Sequence, residues 1–90
     1  MELVIRMNNK VLVELAIPDI DKTFEIFLPV NRKVGNVIQL LAKSIHDETN
    51  GLFTATNYTQ LYNSKTGAIY PVDQLIRNTD IRNGSKIILM

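Results

Sequence analysis

The sequence predicts an α+β fold: a β-hairpin, one amphipathic helix laid across it, then further short strands. Two alternating runs and one helical stripe carry the prediction. From Lys10 to Ile17, Val11, Val13, Leu15 and Ile17 fall on one face and Leu12, Glu14 and Ala16 on the other. That period of two marks a half-buried strand. Thr23 to Leu28 alternates again, with Phe24, Ile26 and Leu28 opposed to Thr23, Glu25 and Phe27. The turn Pro18-Asp19-Ile20-Asp21-Lys22 between the two runs makes them an antiparallel hairpin. Pro29 has no N–H to give to a ladder and closes the second strand.

The helical stripe is Val34, Val37, Ile38, Leu41 and Ile45, spaced i, i+3, i+4, i+7 and i+11. It predicts a helix near residues 33–49, with Lys33, Asn36, Lys43 and Asp47 largely off the apolar face. Asn31 is the candidate N-cap, and Asn50-Gly51 is the stop, with Gly51 free to take the left-handed conformation. A single helix of this length does not persist alone in water, so its stripe must pack on the hairpin's apolar face.

After Gly51 the pattern weakens. Leu52 to Thr59 has no clean period and reads as a loop. Gln60-Leu61-Tyr62-Asn63 is a short strand, Ser64-Lys65-Thr66-Gly67 a turn, and Ala68-Ile69-Tyr70 a short run. Pro71 to Leu75 reads as a turn or a single helical turn. Arg77 to Ile81 leads into Asn83-Gly84 and a final strand, Ser85 to Leu89. There are no repeats, low-complexity tracts or linkers.

Ninety residues make one domain with a single core and little room for a deep pocket. No apolar run approaches the roughly 18 residues of a bilayer span, and no segment resembles a signal peptide. The absence of cysteine excludes a disulfide framework, a thiol nucleophile and a thiolate metal site. These features predict a cytoplasmic protein. The net charge is +1, with both signs interspersed. The nearest approach to a basic cluster is Arg32-Lys33, which reads as a solvated pair and not as a phosphate-neutralising patch.

A search for chemistry finds none. His46, the only histidine, neighbours Asp47 and Glu48, but adjacent helical residues do not share a face, and one histidine is too few for a metal site. It reads as a solvated helix position. Ser44, Ser64 and Ser85 have no histidine placed to activate them. Asp19 and Asp21 lack the glycine and distant glutamate of a calcium loop. Lys65-Thr66-Gly67 lacks the glycine-rich loop that cradles a phosphate. The expectation is a protein that is not an enzyme and carries no cofactor or metal.

Three features together resemble the ubiquitin-like superfamily. One is the hairpin followed by a helix opening with Val34, Val37 and Leu41. Another is the closing signature Thr79-Asp80-Ile81-Arg82-Asn83-Gly84-Ser85-Lys86-Ile87-Ile88-Leu89. The third is that no glycine follows Gly84. Within the superfamily the chain is most similar to the bacterial YukD/EsaB family, encoded with type VII (WXG-type) secretion systems. That likeness lies in Pro29-Val30-Asn31-Arg32-Lys33-Val34 and in Ile81 to Leu89, and covers roughly residues 10–90.

The resemblance implies a β-grasp: a mixed four- to five-stranded sheet, first and last strands parallel at its centre, one main helix across it. Carriers and modifiers of this superfamily end in a flexible Gly-Gly, so the absent tail implies a non-covalent interaction module. The family implies a cytoplasmic accessory of a Gram-positive secretion system, whose partner is the cytoplasmic part of a membrane protein of that system. No nucleic acid or membrane insertion is implied. The alternatives are a sulfur carrier or modifier of the same fold, or an adaptor unrelated to secretion.

Alternation places Leu61, Ile87 and Leu89 toward the helix and Tyr62, Ile88 and Met90 on the opposite face, which is the usual docking surface in ubiquitin-like proteins. Phe27 and Leu12 are candidates to extend it. Residues 1–9 depart from the family pattern. Leu3-Val4-Ile5 is too apolar for a comfortable tail and predicts an N-terminal extension, an extra edge strand or a homodimer contact through residues 1–6.

Overall fold

The computed structural model describes residues 9–90; the expectations for Leu3, Val4 and Ile5 lie outside them. β1 (Lys10–Ile17) and β2 (Lys22–Pro29) pair antiparallel, with Val13 opposite Ile26 and Leu15 opposite Phe24. Pro18–Ile20 forms a tight 3-10 turn between them. Asp21 then takes φ 52°, a left-handed position that aspartate tolerates better than most residues. Two further strands, β3 (Leu61–Asn63) and β4 (Lys86–Leu89), complete a sheet in the order β2-β1-β4-β3. β4 runs parallel to β1 at the centre and antiparallel to β3. This is the ubiquitin-like β-grasp that the sequence predicts. The run Ala68–Tyr70 contributes one bridge, Ile69 to Tyr62, in place of a full fifth strand.

The one α-helix of the described residues, α1 (Val34–Glu48), buries all five stripe residues. They meet Val13, Leu15, Ile17 and Leu28 of the hairpin and Leu61, Ile87 and Leu89 of the C-terminal half. The period of 3.6 and the period of 2 therefore converge on one core.

The helix ends differ in part from the sequence reading. Lys33, not Asn31, occupies the N-cap, and no side chain caps the helix. The unpaired N–H groups of the first turn find backbone partners instead: Val34 donates to the Gln74 carbonyl at 2.8 Å and Gly35 to the Val72 carbonyl at 2.9 Å. A Cβ on Gly35 would stand 3.3 Å from that Val72 oxygen, so the glycine permits the close approach. Asn31 is used elsewhere, its Oδ1 accepting from Arg77 Nη1 at 3.0 Å. At the C-terminus Asn50, at φ 53°, already takes the left-handed position, and Gly51 follows at φ 84°. Gly51 N–H donates to the His46 carbonyl at 2.7 Å and Asn50 N–H to Asp47 at 3.3 Å, the paired bonds of a Schellman motif.

Pro71–Gln74 forms the expected turn, closed by Gln74 N–H on the Pro71 carbonyl at 3.2 Å, and a separate 3-10 turn follows at Ile76–Asn78. Its position follows from Ile76, which is fully buried and donates its N–H to the Arg32 carbonyl at 2.9 Å. Thr79 is buried yet satisfied: its hydroxyl donates to the Ile76 carbonyl at 2.6 Å and accepts from Ile81 N–H at 3.1 Å. The Thr-Asp-Ile of the closing signature is thus a turn that delivers Ile81 to the core. Ser85 stays outside β4, since its Oγ accepts Arg82 N–H at 2.8 Å to close the Asn83-Gly84 turn.

Candidate functional site

Side chains on the sheet face away from α1 follow from the register. Phe27 pairs with Leu12; Glu25 pairs with Glu14, which pairs with Lys86; Thr23 pairs with Ala16, then Ile88, then Tyr62. Met90 and Gln60 form the next rung, each donating its N–H to the other's carbonyl, at 3.1 and 2.9 Å. Tyr62, Ile88 and Met90 therefore do share one face, and Ala16 joins them. Met90 is 45% exposed; Tyr62 and Ile88 are half-buried.

Leu12 and Phe27 are on the same face and exposed, but they do not adjoin that group. The charged rung Glu25–Glu14–Lys86 lies between, so the two apolar spots, at Leu12 and Ala16 of β1, are separated by four residues along the strand, roughly 13 Å. Glu14 stands between a like charge on β2 and an opposite charge on β4, an arrangement that Lys86 stabilises. A surface of this kind, an aromatic, a methionine and an aliphatic beside mixed charge, suits protein contact.

The opposite end of β3 carries a polar cleft that the sequence did not single out. It is about 320 Å³ in volume and is lined by Asn63, Lys65, Tyr70, Asp80, Gly84, Ser85 and Lys86. Asp80 organises it, accepting from the Tyr70 hydroxyl at 2.7 Å and from Asn63 Nδ2 at 3.1 Å. Asn63 Oδ1 in turn accepts the N–H groups of Lys65 and Thr66, at 2.7 and 3.1 Å, which makes Ser64–Gly67 an Asx-type turn. Nothing in the sequence pattern pairs Tyr70 with Asp80; the two meet because the chain between them turns inward at Ile76, which is fully buried, and Ile81 just after Asp80 is buried as well.

Burial pushes the Tyr70 hydroxyl from 10.0 up to about 12, with its hydrogen bond to Asp80 and the charge of that carboxylate adding to the rise and Asn63 opposing it. The hydroxyl is protonated in the favoured state. Its contribution to stability is therefore complete below pH 10 and lost as pH climbs from about 10 to about 12. Tyr70→Phe is expected to cost about 1–2 kcal/mol at neutral pH. It should also flatten the alkaline limb of the stability curve, measured by urea unfolding at pH 8 and pH 11. Equal alkaline loss in the variant would show that another group carries it.

The remaining candidates have structural roles. His46 is exposed, but it is more than a solvated position: Nδ1 bonds the Phe53 carbonyl at 2.9 Å. Asp19 and Asp21 stay in the hairpin turn. Among the described residues no three His, Asp or Glu side chains gather as a metal site, and no helix is long and apolar enough to cross a membrane.

No family model matches the chain, and no curated protein matches it. Solved structures do. A chain of the MycP5-free ESX-5 inner membrane complex superposes with a TM-score of 0.77 at 18% identity, over 91% of this chain and 21% of that one. This chain thus spans about a fifth of that protein. The EccD5 ubiquitin-like domain from Mycobacterium xenopi gives 0.73 at 14% identity, covering 90% of this chain and 92% of that one. The ubiquitin-like domain of the Mycobacterium tuberculosis type VII secretion system protein EccD1 gives 0.60 at 13%, covering 89% and 96%. At these identities the likeness is one of fold.

Proposed function

We propose that this chain is a non-covalent ubiquitin-like interaction module, a cytoplasmic accessory of a type VII secretion system of the YukD/EsaB kind in a Gram-positive host. Its partner is the cytoplasmic part of a secretion-system membrane protein. The observation that carries the reading is the outer-face group Tyr62, Ile88 and Met90, apolar side chains on the side of the sheet that the helix does not cover. Leu12 and Phe27 form a second contact beyond the charged rung. The fold likeness to the EccD ubiquitin-like domains supports the secretion setting.

The test is the double substitution Tyr62→Ala with Ile88→Ser. One central interface residue commonly contributes about 2 kcal/mol or more, so even if only one of the two is central, binding of the partner's cytoplasmic part should weaken by about 30-fold or more. Secretion of small WXG-type substrates should stop while the circular dichroism spectrum stays native. A folded double variant that still supports secretion removes the outer face from the mechanism. Normal secretion after deletion of the whole gene removes the secretion role and favours an adaptor of some other machinery.

A further inference from the structure

One edge of the sheet carries an apolar groove that belongs to neither site described above. Among the described residues β2 is an outermost strand. Val30 N–H donates to the Asn9 carbonyl at 2.9 Å, one rung beyond the Lys10–Pro29 pair. Backbone direction alternates in an antiparallel ladder. Leu28, Ile26 and Phe24 therefore turn their backbone groups toward β1, while Phe27, Glu25 and Thr23 present theirs outward. Pro29 is outward as well, where a strand tolerates a missing N–H. Beside this edge, on the helix side, lies a groove of about 250 Å³ between Ile26 and Leu28 of β2 and Val37, Leu40 and Ser44 of α1, with no charged residue in its lining. Leu40, off the buried stripe, is 46% exposed there, and Phe27 on the other face of the edge is 53% exposed. An edge that is apolar on both faces suits a strand of the same kind, and Ile26-Phe27-Leu28 of β2 is such a strand.

A two-fold axis perpendicular to the sheet sets β2 antiparallel to β2 of a second copy. Three registers about the middle of the strand engage the outward groups. Centred on Glu25, the pairing opposes one glutamate to the other, a like-charge pair. Centred on Phe27, it opposes Glu25 to Pro29, which has no N–H to return. Centred on Ile26, it opposes Phe27 to Glu25 on both sides of the axis, and each of these pairs exchanges its N–H and carbonyl groups in full. On the helix side the same register opposes Ile26 to Ile26 and Leu28 to Phe24, so these side-chain pairs are all apolar. Charge on the helices agrees with this symmetry. Lys33, Val37, Leu40, Ser44 and Asp47 follow at i+4, i+3, i+4 and i+3, one row on the groove side of α1. The row is positive at its start and negative at its end. The axis reverses the second helix, so the Lys33 end of each row lies toward the Asp47 end of the other.

We propose that this chain forms a two-fold dimer through its β2 edges, centred on Ile26, with the two grooves joined into one apolar seam. The result is one continuous sheet of eight strands, four from each copy. The contact is isologous, so it closes on itself and removes the β2 edge from further pairing. Both helices lie on one side of that sheet. Both groups of Tyr62, Ile88 and Met90 lie on the other, presented together to a partner that carries two matching contacts.

Sedimentation equilibrium on the full chain tests this, alongside Leu40→Glu, which places a charge in the seam, and Phe27→Pro, which removes an outward N–H that β1 does not use. The full chain is expected to dimerise reversibly. Each variant should raise the dimer dissociation constant by about tenfold or more while its circular dichroism stays native. Because the chain has no cysteine, single cysteines report the register. Ile26→Cys stands on the axis opposite itself and should cross-link the dimer under mild oxidation. Thr23→Cys, exposed but opposed to Pro29 of the copy, should not. A monomer at every concentration overturns the proposal. So does a dimer that neither variant weakens, or one that Thr23→Cys cross-links as readily as Ile26→Cys.

Discussion

Val37→Asp is expected to abolish cooperative folding or to lower the melting temperature by more than about 15 °C. Val37 is 1% exposed and sits mid-stripe on α1, where it meets the sheet. The substitution removes aliphatic packing and asks a carboxyl group to enter a site that offers it no partner. A buried polar group without a hydrogen bond costs several kcal/mol, and an ionised one more, so the residue must protonate or the helix must lift. A domain this small has about 5–10 kcal/mol in total. A loss above about 4 kcal/mol therefore removes most of the folded margin, with each kcal/mol worth roughly 4–8 °C. Thermal circular dichroism decides the matter. A variant that melts within a degree or two of the parent would mean that Val37 does not face the sheet.

That substitution targets the part of the fold most legible in the sequence. The stripe from Val34 to Ile45 and the two alternating runs are local signals, and each repeats often enough to fix a face. The strand faces followed from alternation alone, which is why Tyr62, Ile88 and Met90 fall together as expected. Whether Leu12 and Phe27 adjoin them depends on how β4 slides against β1. That parallel register is set by contacts between opposite ends of the chain and leaves no local trace. Glu14 opposite Lys86 is its consequence, and it splits the surface in two. The cap of α1 was hidden for the same reason. A sequence shows a capping side chain; it does not show that the carbonyls of Val72 and Gln74 will arrive to do that work. Tyr70 with Asp80 is a third case, a contact made by the turn between them.

Phe53→Ala is expected to cost about 3–4 kcal/mol, although Phe53 lies in a segment without regular secondary structure. Its side chain is 2% exposed and belongs to the same core as the helix stripe. Aperiodic sequence around it, from Leu52 to Thr59, gives no sign of that burial. The backbone explains how a loop residue is held so firmly. Phe53 N–H donates to Thr49 Oγ1 at 3.3 Å, and its carbonyl bonds His46 Nδ1 at 2.9 Å. Thr49 Oγ1 itself donates to the Ile45 carbonyl at 2.6 Å. The last turn of α1 thus grips the chain just after the Asn50-Gly51 reversal and drives one aromatic ring back beneath the helix. Removing the ring loses its transfer energy and leaves a void that the tethered backbone cannot readily close. His46→Ala, by contrast, removes one hydrogen bond at an exposed position and should cost about 1 kcal/mol or less. Urea unfolding of the two variants separates the contributions. If Phe53→Ala proves as mild as His46→Ala, the loop collapses into the space and the ring is not an anchor of the core.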